Sequence, residues 1–160
     1  MDDTQLAHFT VELETDCPPS TAIRRVLDLR RHSRVIPFTT VTPSVPADSL
    51  SPGTRFVART SLGPIGFDDA IRVDTISLGD GLPTASARIS KESRAIRGSI
   101  RLLVSPTAAG SLVRWDQDVS LPWLPGFLQR PAASVLRLGY RQVLSRLLRG
   151  SGHNKAAPSP

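Results

Sequence analysis

The longest periodic segment of the sequence is at its C-terminal end, FLQRPAASVLRLGYRQVLSRLLR, residues 127–149. Apolar residues recur there every three or four positions, the spacing of one face of an α-helix. At 1.5 Å per residue this helix would be about 30 Å long, enough to cross a small domain, and Pro131 must lie in its first turn or kink it. The predicted inner face comprises Leu128, Ala132, Val135, Leu136, Gly139, Tyr140, Val143, Leu144 and Leu147.

The segments before this helix have the pattern of strands. Residues 7–15 alternate between apolar and polar, and two short helices follow, one behind Pro18 and Pro19 and one ending before Pro37. Six further strands are predicted at residues 38–45, 54–62, 67–76, 84–90, 95–105 and 110–121. Because the connections leave no room for crossover helices, neighbouring strands must be antiparallel. The sequence predicts an α+β fold with a curved seven-stranded antiparallel sheet, the long helix, and two short helices after the first strand.

Length and composition limit the class of protein. The 160 residues fit a single domain, predicted at 1–150, and the polar stretch 151–160 is predicted to be disordered. No apolar run approaches the roughly 20 residues needed to span a bilayer, and the acidic first residues do not match a signal peptide. The single cysteine, Cys17, cannot form an internal disulfide. We expect a cytoplasmic protein, a monomer or homodimer, without stable membrane insertion.

The net charge of +6 is confined to the C-terminal end. The last acidic residue is Asp118, and the basic residues after it are Arg130, Arg137, Arg141, Arg146, Arg149 and Lys155. A basic face of this kind could bind nucleic acid, an acidic partner or an anionic membrane. We favour a solvated helix face and predict no nucleic-acid binding, because no aromatic residues alternate with the arginines to stack on bases.

Familiar catalytic motifs do not occur in the sequence. His8, His32 and His153 are scattered, no carboxylate lies at metal-ligand spacing from them, and no phosphate-binding loop is present. We predict no metal site and no cofactor, and assign no catalytic residue.

One polar residue falls on the apolar face of a predicted strand. Asp69 is in phase with Phe67, Ile71 and Val73. A carboxylate in such a place could act as a general acid or base, or hold a polar group of a ligand. Alternatively, it lies at the mouth of the strand and pairs with an arginine or caps the hairpin, the interpretation we favour.

The order of elements, together with five short segments, resembles the START-like superfamily, also called SRPBCC, and its actinobacterial branch most closely. The segments are an acidic-capped Pro-Pro helix start at 16–19, DLRRHSRVIP at 28–37, Gly-Thr-Arg at 53–55, GPIGFDD at 63–69 and RGSIRLLVSPTAAGSLVRWDQDVSLP at 97–122. The resemblance covers nearly the whole chain. The superfamily includes polyketide cyclases and dehydrases, lipid-transfer domains and plant pollen allergens. The resemblance implies a helix-grip fold, in which the sheet grips the long helix and an apolar cavity lies between them.

Small residues on the helix also favour a cavity. Ala132, Ala133 and Gly139 cannot fill a concave sheet as bulky residues would, although they equally allow close packing of helix on sheet. The packing contacts we expect are those of Val135, Leu136, Val143 and Leu147 with Ile100, Leu102 and Trp115. The predicted ligand-binding residues are Phe67, Asp69, Ile71, Ile100, Leu102, Trp115, Gln117, Val135, Gly139 and Tyr140.

Three functions are compatible with these observations. The first is binding of a small hydrophobic ligand, such as a lipid, a polyketide or a similar aromatic compound, between the sheet and the C-terminal helix. The alternative is a polyketide cyclase/dehydrase-like enzyme acting in the same cavity, which would need a converging acid and base. The third is binding of an acidic partner through the arginines, which would need no cavity.

Overall fold

The computed structural model describes residues 6–149 of the chain, so the predicted tail at 151–160 lies outside the described residues. Strands and helices follow one another in the predicted order, and the α+β fold with a seven-stranded antiparallel sheet is confirmed. The strands are β1 (Ala7–Thr15), β2 (Thr39–Thr42), β3 (Arg55–Leu62), β4 (Ile65–Ser77), β5 (Ala85–Glu92), β6 (Arg97–Thr107) and β7 (Gly110–Ser120). The α-helices are α1 (Pro19–Leu27), α2 (Leu29–Val35) and α3 (Gly126–Leu148), and a short 3-10 helix spans Ala47–Ser49.

The sheet has the strand order β1-β7-β6-β5-β4-β3-β2. From β2 to β7 each strand pairs with its successor in the chain, whereas β1 pairs with β7, from Ala7 opposite Val119 to Thr15 opposite Ser111. The register between β4 and β5 shifts at Val73, and such an irregularity bends a strand and increases its twist. The sheet therefore has a concave face that the helices can cover.

The start of α1 differs from the prediction. Pro18 is the N-cap, and its backbone carbonyl accepts hydrogen bonds from the amides of Thr21 and Ala22 at 3.0 Å each. Asp16 lies two positions before the cap, too early for the role assigned to it. The next helix does have an acidic cap, because the Asp28 carboxylate accepts from the Arg30 amide at 3.1 Å.

Helix α3 begins and ends within one residue of its predicted bounds, but only part of its apolar stripe is covered. Ala133, Leu144, Leu147 and Leu148 are buried, whereas the Val135 side chain is 69% exposed. The helix lies closest to β1 and also contacts α1 and α2, so one flank of the stripe points away from the sheet. The expected packing of Val135 on the sheet was therefore wrong. Leu128 and Gly139 of the predicted inner face are exposed too, and Leu136 is half-buried.

A candidate ligand-binding cavity

An enclosed chamber of about 90 Å³ lies between the concave face of the sheet and the C-terminal half of α3. We call it the inner chamber. Its apolar wall includes Phe56, Ile71, Ile89, Ile100 and Trp115 from the sheet, and Leu144 and Leu147 from α3. Four polar side chains also line it: His32, Asp69, Lys91 and Tyr140.

A more open space of about 580 Å³ adjoins the inner chamber, and we call it the outer groove. Its walls come from the end of α2, the hairpin of β3 and β4, and the middle of α3, and include Pro37, Thr39, Thr60, Phe67, Val135, Gly139 and Arg146. The two spaces share the residues Ile36, Ala58, Asp69, Tyr140 and Val143. Asp69 and Tyr140 are thus the polar groups at the boundary between chamber and groove.

Asp69 forms a buried ion pair with a lysine that the sequence analysis did not select. Asp69 is on β4 and Lys91 is on β5, where Lys91 is opposite Ile71, the next inward-facing residue of β4. The Lys91 ammonium donates to Oδ2 of Asp69, and both side chains are buried. The favoured interpretation of Asp69 was therefore wrong on both points, because the carboxylate is not at a solvated mouth and its partner is not an arginine.

The second oxygen of this carboxylate has no partner. Oδ1 of Asp69 is fully buried and accepts no hydrogen bond from the described residues. Buried polar atoms are nearly always hydrogen-bonded, to protein or to ordered water, because leaving one unpaired costs about 1–3 kcal/mol. The site thus presents an unsatisfied acceptor next to an apolar cavity.

The surroundings of Lys91 favour its charged form. Burial lowers the pKa of Lys91, but the neighbouring Tyr140 oxygen and the Asp69 carboxylate raise it by more, so the net shift is upward. A signal for this residue was present in the sequence, since Ala85, Ala87 and Ile89 alternate in phase with it on the inner face of β5. The predicted strand ended at residue 90, one residue too early to include the lysine.

Aromatic contacts hold Tyr140 at the boundary. Its ring centroid is 5.7 Å from that of Phe9 on β1 and 5.4 Å from that of Trp115 on β7, with tilted ring planes in both cases. Tilted contacts at these separations are favourable for aromatic pairs. The phenol is therefore positioned by aromatic residues of β1 and β7, on the wall of the chamber that also holds the buried ion pair.

His32 is the fourth polar group of the inner chamber. Burial lowers its pKa, which outweighs the opposing effects of the Val26 carbonyl and the Asp28 carboxylate. Its Nε2 is 2.7 Å from the backbone carbonyl oxygen of Val26, so the neutral ring donates from Nε2. The chamber thus holds an uncharged imidazole in addition to the ion pair and the phenol.

Solved structures with the same architecture were found, although no protein-family model and no curated protein matches the sequence. The protein TTHA0849 from Thermus thermophilus superposes with a TM-score of 0.69 at 13% identity, over 89% of this chain and 94% of that one. The lipid transfer and protein localization domain of human StarD13 superposes with a TM-score of 0.68 at 14% identity, over 91% of this chain and 78% of that one. A START superfamily protein from Mycobacterium smegmatis gives a TM-score of 0.57 at 12% identity, over 89% and 96%.

The chain has a START-like fold. This confirms the fold that the resemblance implied, with α3 gripped by the curved sheet.

Eight of the ten predicted ligand-binding residues lie on the cavity wall of this START-like fold. Asp69, Ile71, Ile100, Trp115 and Tyr140 line the inner chamber, and Phe67, Val135 and Gly139 line the outer groove. The other two are buried elsewhere in the core. Leu102 lines neither space, nor does Gln117, whose side-chain oxygen accepts from the Trp115 indole at 3.0 Å.

The described residues of this START-like fold contain neither a metal-binding cluster nor a membrane-spanning helix. Residues 6–149 contain no group of three or more His, Cys, Asp and Glu side chains placed to hold a metal ion. Over the same residues, no helix combines the length and the apolar character needed to cross a membrane.

Proposed function

We propose that this protein binds a small hydrophobic molecule, such as a lipid, a polyketide or a similar aromatic compound, with its polar group at Asp69. The observation that carries the proposal is the unpartnered Oδ1 of Asp69, a buried acceptor at the boundary of two apolar spaces. The START-like fold supports it, since the lipid transfer domain of StarD13 shares that fold.

The volumes of the two spaces indicate how a ligand would lie. The inner chamber, at about 90 Å³, is smaller than the roughly 150 Å³ cavity that accommodates benzene. The outer groove, at about 580 Å³, is within the range of ordinary ligand sites, roughly 300–1,000 Å³. The apolar body of the ligand therefore occupies the outer groove, and only one end reaches the inner chamber.

The buried groups select the chemistry of that end. An unpartnered carboxylate oxygen needs a hydrogen-bond donor, such as the hydroxyl of an alcohol or phenol. The ion pair of Asp69 and Lys91 is neutral as a whole, so an additional carboxylate on the ligand would be buried without a counter-ion. The preferred ligand is thus apolar, uncharged and hydroxylated.

Tryptophan fluorescence can test this preference. Trp115 lines the inner chamber, so its emission should change when the cavity fills, and a Trp123→Phe background removes the signal of the exposed second tryptophan. Naphthol should bind about ten-fold more tightly than its methyl ether, since the ether lacks the donor for Asp69. Equal affinities for the two probes would contradict the role given to Oδ1.

A steric variant tests the position of the ligand without disturbing the ion pair. Gly139 borders the outer groove, and a Cβ added there meets no atom within 4 Å, so Gly139→Trp should fold and fill the groove. Naphthol binding should weaken at least about ten-fold. The matched control is Arg141→Trp, at an exposed position of the same helix outside the cavity, which should bind as the wild type does. If both variants bind equally well, the outer groove is not the site.

The arrangement of polar groups also favours the enzymatic alternative, a polyketide cyclase/dehydrase-like reaction in the same cavity. The Tyr140 hydroxyl, the Lys91 ammonium and the neutral His32 ring line one small chamber and could transfer or stabilise a proton at a bound carbonyl. Incubation with an aromatic polyketide precursor separates the alternatives. If the wild-type protein converts the precursor and Asp69→Asn binds it without turnover, the protein is an enzyme. If both proteins bind the precursor and neither converts it, the function is ligand binding.

A further inference from the structure

Exposed apolar side chains surround the opening of the outer groove. On the hairpin of β3 and β4, Thr60 and Phe67 are paired and line the groove, and two residues further out Leu62 pairs with Ile65. Because side chains alternate along a strand, Leu62 and Ile65 face the same side as Thr60 and Phe67. They are 60% and 76% exposed. The hairpin therefore extends the apolar wall of the groove into solvent.

A further exposed apolar residue is held in place by the backbone. Phe38 lies between Pro37 and Thr39, which both line the groove, and its side chain is 69% exposed. Its φ is 58°, a conformation uncommon for a bulky residue, and its carbonyl accepts from the Ser61 amide at 2.9 Å. The strained backbone thus keeps an aromatic ring in solvent at the groove, and no burial of that ring offsets the strain.

Helix α3 completes the opening with two further apolar residues. Val135 lines the groove, and Leu138 is three positions later on the helix, next to Val135 and Gln142. Val135 and Leu138 are both about 70% exposed. We call the whole set the rim: Phe38, Leu62, Ile65, Val135 and Leu138.

The charges around the rim are basic. Arg146 lines the groove, Arg34 precedes the groove residues Val35 and Ile36, and Arg94 is two residues before Ile96, which also lines it. None of these three arginines forms an ion pair with another residue in the described range 6–149.

The nearest acid on the hairpin does not offset this charge. Asp68 is paired with Arg59 at 2.9 Å. An apolar surface bordered by unneutralised cations is complementary to an anionic lipid surface, where apolar side chains enter the interface and arginines meet the head groups.

We propose that the rim and its three arginines form a docking surface for an anionic lipid bilayer, which would place the opening of the outer groove against the membrane. Binding of this kind is peripheral and reversible, in keeping with the prediction of no stable insertion. A second copy of the chain fits less well, because a two-fold interface would bring the same arginines together. Docking does not depend on the proposed ligand, since the rim residues are exposed whether or not the cavity is filled.

Co-sedimentation of the full chain with vesicles tests this surface. We expect binding to vesicles of phosphatidylcholine mixed with phosphatidylglycerol, weak binding to phosphatidylcholine alone, and a loss of binding as salt is added. Ile65→Glu should lower the bound fraction about ten-fold, because it places a negative charge in the rim. The control is Leu82→Glu, at a residue 59% exposed outside the rim, which should bind as the wild type does.

An arginine pair tests the electrostatic part in the same assay. Arg146→Glu should weaken vesicle binding several-fold, whereas Arg101→Glu on β6, exposed but remote in sequence from every rim residue, should have little effect. Equal losses in each matched pair, or binding that ignores the phosphatidylglycerol content, would overturn the proposal. The proposal would also be overturned if the wild-type protein bound no vesicles but self-associated, and if Ile65→Glu abolished that self-association. Naphthol titration without vesicles reports on the cavity separately, so failure of one proposal is distinguishable from failure of the other.

Discussion

The two ends of the concave sheet differ in what covers them. At the β1 and β7 end, α3 lies against β1, and Phe9 and Val11 are buried there, although an open space of about 710 Å³ borders β1 and the N-terminal half of α3. At the β3 and β4 end, the face carrying Phe67 opens onto the outer groove, and the opposite part of α3 presents the exposed Val135. The same helix therefore packs into the core at one end of the sheet and forms a wall of the outer groove at the other.

The buried ion pair marks the boundary between these two ends. Asp69 and Lys91 are on β4 and β5, where the closed part of the sheet gives way to the open part. Ordinary packing would favour an apolar residue at either position, because a buried ion pair is often no more stable than hydrophobic residues of similar volume. The polar groups occur where the apolar packing ends, and this is the region in which a ligand would be recognised.

The largest effect should come from a charge placed on the buried flank of α3. Leu144 is 1% exposed, so Leu144→Asp buries an unpaired carboxylate and should lower the free energy of unfolding by more than about 4 kcal/mol, enough to unfold the domain. Val135→Asp, on the exposed flank of the same helix, should change it by less than about 0.5 kcal/mol. Urea denaturation followed by tryptophan fluorescence measures both. Similar losses in the two variants would mean that α3 is covered evenly on all its faces.

A smaller effect on stability should come from changes to the buried ion pair at the boundary. Lys91→Met leaves the buried Asp69 carboxylate without its partner and should cost about 3–5 kcal/mol, whereas Lys91→Met combined with Asp69→Asn should recover most of the loss. Arg72→Met, which breaks partly exposed pairs with Asp74 and Glu92, should cost less than about 1 kcal/mol and serves as the control.

The free energy of unfolding at alkaline pH offers a second measurement of the ion pair. The pKa of Lys91 is raised in the folded state, so its contribution is complete below the ordinary lysine pKa of about 10.4 and is lost as pH rises through the folded value. A Lys91→Met variant as stable as the Arg72→Met control would show that the pair is not buried in solution.

The smallest effect should come from His32 in the inner chamber. Its pKa is lowered by burial, so on acidification below about 6.5 the unfolded chain takes up a proton that the folded chain does not. Stability should therefore fall with decreasing pH, by at most about 1.4 kcal/mol per pH unit, until the folded pKa is reached. Urea midpoints measured from about pH 7 to about pH 5 should decline less steeply in His32→Gln. Identical slopes would mean that His32 is solvated.

The strands and the long helix could be predicted because each carries its own periodic signal. The alternation in β1, β4 and β7 and the spacing in α3 depend only on residues close in sequence, and these elements appeared where they were expected. The register of one strand against the next has no such signal. For that reason the apolar phase of Asp69 could be predicted, whereas an arginine was expected where Lys91 is the partner, and the free oxygen was not predicted.

The face of α3 was harder to predict for a related reason. Periodicity shows that a helix has an apolar stripe, but not the direction in which the helix crosses the sheet. Gln129 illustrates this: it is buried because its side-chain amide bonds the backbone of Leu121 and Leu124, at distances of 2.7 to 3.1 Å. These hydrogen bonds fix the position of the start of the helix relative to the sheet. A hydrophobic pattern does not predict such polar contacts.

The pairing of β1 with β7 has a consequence for how the chain acquires its structure. The other strands pair with neighbours in the chain, so the meander from β2 to β7 can assemble from local hairpins. β1 pairs with a strand about a hundred residues later in the chain, with Ala7 opposite Val119, so it stays unpaired until β7 is present. Helix α3 comes after β7 in the chain. During synthesis from the N-terminus, β1 leaves the ribosome before its partner β7 has been made, and until the two strands pair its apolar side is open to misassociation. We expect the cavity to form at the same late step, because the helix that walls it docks mainly on that first strand.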